Sequence, residues 1–167
     1  MSCLGVHFAI TSEEADHLRS LPTDLSRLQY LQESLEPHYF NEEPDLKAES
    51  DKAWDAMHRA LTDGTLTWRD SDNPLDLVVL GGERLYAELD YLIALKTPAQ
   101  VREISAALRP LTEEEFRRRY QAINPKSYGM ALSDNDFAYT WEWFQGVCDL
   151  YHLAAAEERF VLFTADQ

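Results

Sequence analysis

Near the C-terminus, Phe137, Trp141, Phe144, Cys148 and Tyr151 advance by four and three residues in turn. That spacing draws one continuous apolar seam along a helix, and a seam of this kind has to be buried against other elements. Ser133 or Asp134 stands where the N-cap belongs. This is the longest helix the sequence supports, and it is the expected spine of the core. Short apolar stretches lie at both ends of the chain. Cys3 to Ile10 fits a strand better than a helix by its length, and Phe160 to Thr164 is β-branched and aromatic. Within the first of these, His7 alternates to the face opposite Val6 and Phe8.

Between these ends the helix signals are local and explicit. Thr11 with Glu14 forms a capping box and opens a helix that Pro22 ends. Thr23 or Asp24 starts a second one, with Leu25, Leu28, Leu31 and Leu35 at helical spacing and Pro37 closing it. From His38 to Glu49 the chain reads as irregular and acidic, with Pro44 as a breaker. Thr97 caps, Pro98 takes the first helical position and Gln100 completes a box, so a helix runs to Pro110. Thr112 with Glu115 repeats the pattern, with Leu111 and Phe116 in the staple positions. Arg117, Arg118 and Arg119 follow as the basic cluster of the chain, either a solvated face or an anion contact. Leu77 to Leu80 is a buried strand or a short buried helix, and Tyr91 to Leu95 is a second short strand. The order is strand, helices, strand or strands, helices, strand, without the regular alternation of a doubly wound sheet. The expected fold is therefore α+β: a mostly helical single domain over residues 1–167, with a small mixed sheet that uses the N- and C-terminal strands.

The stretch from Asp51 to Gly64, DKAWDAMHRALTDG, reads as an amphipathic helix. Ala53, Trp54, Ala56, Met57, Ala60 and Leu61 share one arc, and Asp51, Lys52, Asp55, Arg59 and Thr62 the other. Gly64 sits where a left-handed C-cap residue belongs. His58 lies on the seam between the arcs, one turn after Trp54 and two turns after Asp51 on nearly the same line. A carboxylate there can orient an imidazole as in general-base sites, so His58, Asp51 and Trp54 are the candidate binding residues. The competing reading makes His58 a half-buried residue bonded to a backbone carbonyl.

Thirty Asp and Glu residues against fifteen Lys and Arg give a formal charge of −15. Lys and Arg are what displace phosphate counterions, so this balance argues against non-specific nucleic-acid binding and against anionic lipid. Long-range attraction of a basic protein partner fits it. Two cysteines far apart, Cys3 and Cys148, are expected to stay reduced, and no export signal or membrane-length apolar run is visible, which places the chain in the cytoplasm. There is no G-x-S-x-G elbow and no H-E-x-x-H helix, and the five histidines have no ligand spacing. Asp70, Asp72 and Asn73 lack the glycine and distal Glu of a calcium loop. Gly81-Gly82 lies outside either glycine-rich phosphate consensus and reads as a turn. No metal and no cofactor are expected.

Several segments together resemble one family. They are the LGVHFAI strand, DKAWDAMHRALTDG, NPLDLVVLGGERLY, LKTPAQVREISAAL and LTEEEFRRRY, with the aromatic helix and the terminal FVLF strand. The resemblance is to the YfbM-like family of small bacterial proteins of unknown function, and it runs from about Met1 to about Thr164. Its most specific part is met by Asp51, Lys52, Trp54, His58, Leu61, Thr62 and Gly64, followed by Pro74, Leu75, Leu80, Gly81 and Gly82. Cys3 and Leu4 ahead of Gly5, and Glu157-Glu158-Arg159 before the last strand, depart from the pattern. The resemblance implies an α+β fold and implies no reaction and no catalytic residue. The expected role is a non-catalytic, acidic, partner-binding protein. The alternative is an enzyme or small-molecule binder with a pocket beside Trp54 and His58. A homo-oligomer joined through Tyr139 or Trp143 is a third.

Overall fold

The computed structural model describes residues 3–167, so the first two residues of the expected domain lie outside it. Five strands form one sheet: β1 (Gly5–Ile10), β2 (Lys47–Asp51), β3 (Glu83–Arg84), β4 (Tyr91–Lys96) and β5 (Phe160–Asp166), in the order β2-β1-β5-β4-β3. The two terminal strands pair at its centre, from Gly5 opposite Ala165 to Ile10 opposite Phe160. All four ladders are antiparallel, and among the described residues parallel pairing is confined to an isolated bridge between Arg69 and Gly81.

Both faces of this sheet are covered, which is why β1 is buried at all six positions. Val6, Phe8, Ile10, Ile93, Leu95 and Leu162 point one way, into a cluster with Ala15 and Leu18 of α1 (Ser12–Ser20) and with Leu31, Leu35 and Tyr39. Ala9, Ala94, Val161 and Phe163 point the other way. They meet α4 (Trp54–Leu61), α5 (Pro98–Leu108), α6 (Glu113–Gln121) and α8 (Asp134–Ala156). The aromatic seam of α8 lies in this second layer. Phe116 of α6 stacks on Phe144 with centroids 4.5 Å apart, and Tyr151 is fully buried. Ser133 caps α8, Thr97 and Gln100 close the box on α5, and Thr11 and Glu14 close the one on α1.

Four local expectations are corrected. The helix from Asp24 does not close at Pro37. It runs as α2 (Asp24–Tyr30), widens into a π-turn over Leu31–Leu35 and continues as α3 (Glu36–Asn41). Pro37 sits in the first turn of α3, where a missing N–H costs nothing. The stretch read as irregular from His38 to Glu49 runs into β2, whose alternation of buried Ala48 and Ser50 with charged Lys47, Glu49 and Asp51 was too polar to register as a strand. Asp51 ends β2 at a φ of 45° and so lies outside the helix that follows. Thr112 caps α6, but Glu115 turns to Arg118 and Arg119 and does not complete the box. A further short helix, α7 (Pro125–Tyr128), stands in the loop before α8.

The paired glycines are a turn for a steric reason. A Cβ on Gly82, at φ 85°, would sit 2.5 Å from the Leu95 carbonyl oxygen of β4. One on Gly81 would sit 2.8 Å from the Leu77 Cα. They let the chain leave the core at the edge of the sheet.

Candidate functional site

The most unusual feature of the core is an irregular segment inside it. After a 3-10 turn at Pro74–Leu77, residues Val78, Val79 and Leu80 cross the interior, almost fully buried and without a strand or helix to pair their backbone. Buried backbone groups without partners are costly, so side chains must supply them. Four do. His7 Nε2 donates to the Val78 carbonyl at 3.0 Å, and the Tyr151 hydroxyl donates to the same oxygen at 2.7 Å. The Lys96 Nζ donates to the Val79 carbonyl at 2.6 Å. The Leu80 N–H donates to His58 Nδ1 at 3.4 Å. Each side chain, three donors and the accepting imidazole of His58, comes from a different element: β1, α8, β4 and α4.

Burial sets the protonation of this group. It lowers His7 to about 3, with the Lys96 charge pushing the same way. It lowers His58 to about 4. It holds Lys96 well below the ordinary lysine value and Tyr151 well above the ordinary tyrosine value. A lysine, a tyrosine and two histidines with such shifts resemble an acid–base site on chemistry alone. Solvent access decides otherwise. His7 and Lys96 are fully buried, His58 is 1% exposed, and none of the four lines any of the recesses described below. Apart from His7 Nδ1, which is buried without a hydrogen-bond partner, their polar atoms face backbone, and the arrangement holds the chain.

The three residues singled out from the sequence do not form one site: Trp54 and His58 lie on α4, and Asp51 ends β2. His58 has both nitrogens engaged, Nδ1 by Leu80 N–H and Nε2 by the Thr67 carbonyl at 2.7 Å, which fixes the Nε2–H tautomer. Asp51, turned away at the end of β2, interacts with the Tyr139 hydroxyl and does not reach the imidazole. Trp54 is buried, donating from Nε1 to the Cys3 carbonyl at 2.8 Å, with its ring against Phe163. Gly5 is required there, because a Cβ would stand 2.6 Å from the Trp54 ring. A recess of ≈ 390 Å³ does adjoin Trp54, between Cys3, Leu66, Tyr128 and Met130, but His58 is not in its wall. Tyr139 and Trp143 are half-buried and contact each other edge-on.

Lys96 and the hydrogen-bonding roles of Tyr151 and His7 were not singled out from sequence. One signal existed for Lys96: it closes the run Tyr91–Lys96 in phase with Ala94, whose side faces the core. Among the described residues, no group of three His, Cys, Asp or Glu side chains is placed to hold a metal ion. Nor, among the described residues, is any helix long and apolar enough to cross a membrane.

The surface holds two features of different character. Leu4 and Phe40, 45% and 42% exposed, join Val6 in a trough formed by two adjoining hollows of ≈ 250 and ≈ 330 Å³. Trp143 closes one end, and Glu36, Glu49, Asp51 and Asp166 stand along it. On the α4–α6 side, Arg59, Arg118 and Arg119 converge on a separate recess.

Comparison with known proteins matches residues 1–164 to a family described as a domain of unknown function (DUF1877). No curated protein matches. Among solved structures, the chain is similar to the protein of unknown function YfbM from Escherichia coli, with a TM-score of 0.64 at 20% identity, over 97% of this chain and 99% of that one. At that identity the likeness is one of fold.

Proposed function

The chain belongs to the family described as a domain of unknown function, DUF1877, and from that premise we propose that it is a non-catalytic binding protein whose trough at Leu4, Val6, Phe40 and Trp143 seats an apolar-anchored segment of a basic protein. The observation that carries this reading is the trough itself. It is the place where two large apolar side chains stand in the open beside four carboxylates. Apolar anchors ringed by charge are how protein interfaces are commonly built. The trough already accommodates one cation of the chain's own. Lys47 places its ammonium 4.5 Å over the Phe40 ring while pairing with Glu49 at 2.6 Å. The overall charge of −15 favours approach of a basic partner and disfavours nucleic acid and anionic membrane. Both cysteines are free, in keeping with a cytoplasmic setting.

A synthetic peptide of alternating lysine and leucine, titrated against labelled protein by NMR, tests this. The expected result is shifts concentrated at Leu4, Val6, Phe40 and Glu49. Phe40→Asp should weaken binding by at least about tenfold, since an interface anchor typically contributes 2 kcal/mol or more. Equal binding by wild type and Phe40→Asp, or shifts spread over every acidic face, would reject the trough. Light scattering of the same samples separates a peptide site from self-association: a concentration-dependent dimer lost in Phe40→Asp would assign the trough to a second copy instead.

A further inference from the structure

The basic cluster of α6 divides in the fold. Arg117 turns toward α8, lying 3.8 Å over the Phe137 ring and pairing with Glu113 and Asp134. Arg118 and Arg119 turn the other way, toward the end of α4. There they meet Arg59 across a recess of ≈ 290 Å³, with Gly64 in its wall. In a chain with twice as many acids as bases, three guanidiniums on one small recess call for an explanation.

Their pairing leaves charge over. Arg59 pairs with Asp55, and Asp63 on the rim is taken by Arg69. Glu115 alone serves both Arg118 and Arg119, at 2.7 and 2.9 Å. One positive charge in the group is therefore unmatched. Hydrogen-bond donors are left over as well, since a guanidinium carries five N–H groups. Arg119 commits only Nε. Arg59, 7% exposed, commits Nε to Asp55 and Nη1 to the Gly64 carbonyl and Ser127 Oγ. Its Nη2 is not used by these bonds, and Arg59 forms part of the recess wall. The Tyr128 ring under the Arg59 guanidinium holds it in place. Gly64, at φ 89°, leaves the space above it empty, with nothing within 4 Å of where a Cβ would stand.

We propose that this recess binds the phosphate group of a small soluble phosphate monoester, gripped by Arg59, Arg118 and Arg119. Arginine forks suit tetrahedral oxyanions, and Arg59 is held before the ligand arrives, which lowers the ordering cost. The size of the recess and the charge of −15 select a small ligand over a polyanionic surface. This site is independent of the trough.

The test is calorimetric titration at low ionic strength with inorganic phosphate and with phenyl phosphate, alongside sedimentation with phosphatidylserine vesicles. Wild type should bind phenyl phosphate saturably, inorganic phosphate should compete, and the vesicles should not retain the protein. Arg118→Gln and Arg119→Gln lie on the surface and should each weaken phenyl phosphate by about tenfold, the loss of one charge-assisted contact. Arg117→Gln, which faces the other way, should leave affinity unchanged. Absence of saturable binding by either phosphate would overturn the proposal. So would an effect of Arg117→Gln equal to that of Arg119→Gln, and retention by vesicles would transfer the site to a lipid headgroup.

Discussion

Replacing His58 with alanine should lower the free energy of unfolding by about 4 kcal/mol, measured by urea denaturation at pH 7. Two costs combine. The Thr67 carbonyl and the Leu80 N–H each lose their bond to the imidazole. A buried group left unpaired costs about 1–3 kcal/mol. The removed ring also leaves a hole at a position that is 1% exposed, and cavities in packed cores add to the loss. His58→Gln keeps an amide N–H to aim at Thr67 and should recover about half of the loss. His38→Ala, whose ring pairs with Glu42 at the surface, should change stability by no more than about 0.5 kcal/mol. A loss below about 1 kcal/mol for His58→Ala would mean that the Val78–Leu80 segment is not held by this residue.

The second large effect is on pH dependence. His7 and His58 are neutral in the folded protein, with values lowered to about 3 and about 4. Unfolded, each takes up a proton as pH falls through about 6.5. The unfolded state therefore binds more protons below that point, and stability falls with falling pH. The contribution is fully present above about pH 6.5 and is lost progressively toward pH 4. Each ring contributes up to about 1.4 kcal/mol per pH unit, so the pair should remove about 3 kcal/mol between pH 6 and pH 4.5. Carboxylates add their own slope, so the informative quantity is the difference between variants. In His58→Gln, about half of the histidine contribution in that window should vanish. Parallel stability curves for wild type and His58→Gln would contradict the assignment.

How much of this was legible in the sequence follows from which forces act locally. The caps at Thr11, Thr97, Thr112 and Ser133 are bonds spanning three residues, and each stands where the sequence places it. The aromatic seam and the two terminal strands were equally readable, because burial imposes its period directly. Strand β2 was not, because its inward residues are Ala48 and Ser50 and its outward ones are charged. The amphipathic reading of residues 51–64 found the helix and its glycine stop, whose N–H bonds back to the Arg59 carbonyl. It misjudged the polar arc. Arg59 is covered by Ser127 and Tyr128 of α7, packing that no window along α4 reveals.

The candidate site was legible only in part for the same reason. His58 was found as an exceptional position, and its bond to a backbone carbonyl is the alternative weighed for it. Its partners were not readable, since Thr67 and Leu80 lie in irregular chain and contribute only backbone atoms. The contributions of His7, Lys96 and Tyr151 depend on three further elements converging on one segment. Side-chain pattern reports which face is buried, and it is silent on backbone groups that need rescue. The recess at Arg59 has the same origin: Arg118 and Arg119 are adjacent in sequence, but their third member comes from a helix more than fifty residues earlier.

The central claim is that the titratable cluster in the core is a clamp on Val78–Leu80, sealed from solvent, and that function resides on the surface. Nitrogen-15 NMR of the histidine rings tests it most directly. Between pH 8 and pH 5, His7 and His58 should remain neutral Nε2–H tautomers, each holding its proton on a backbone carbonyl. A midpoint near 6.5 for either ring, or a shift of its proton to Nδ1 in that range, would place the cluster in contact with water and contradict the account.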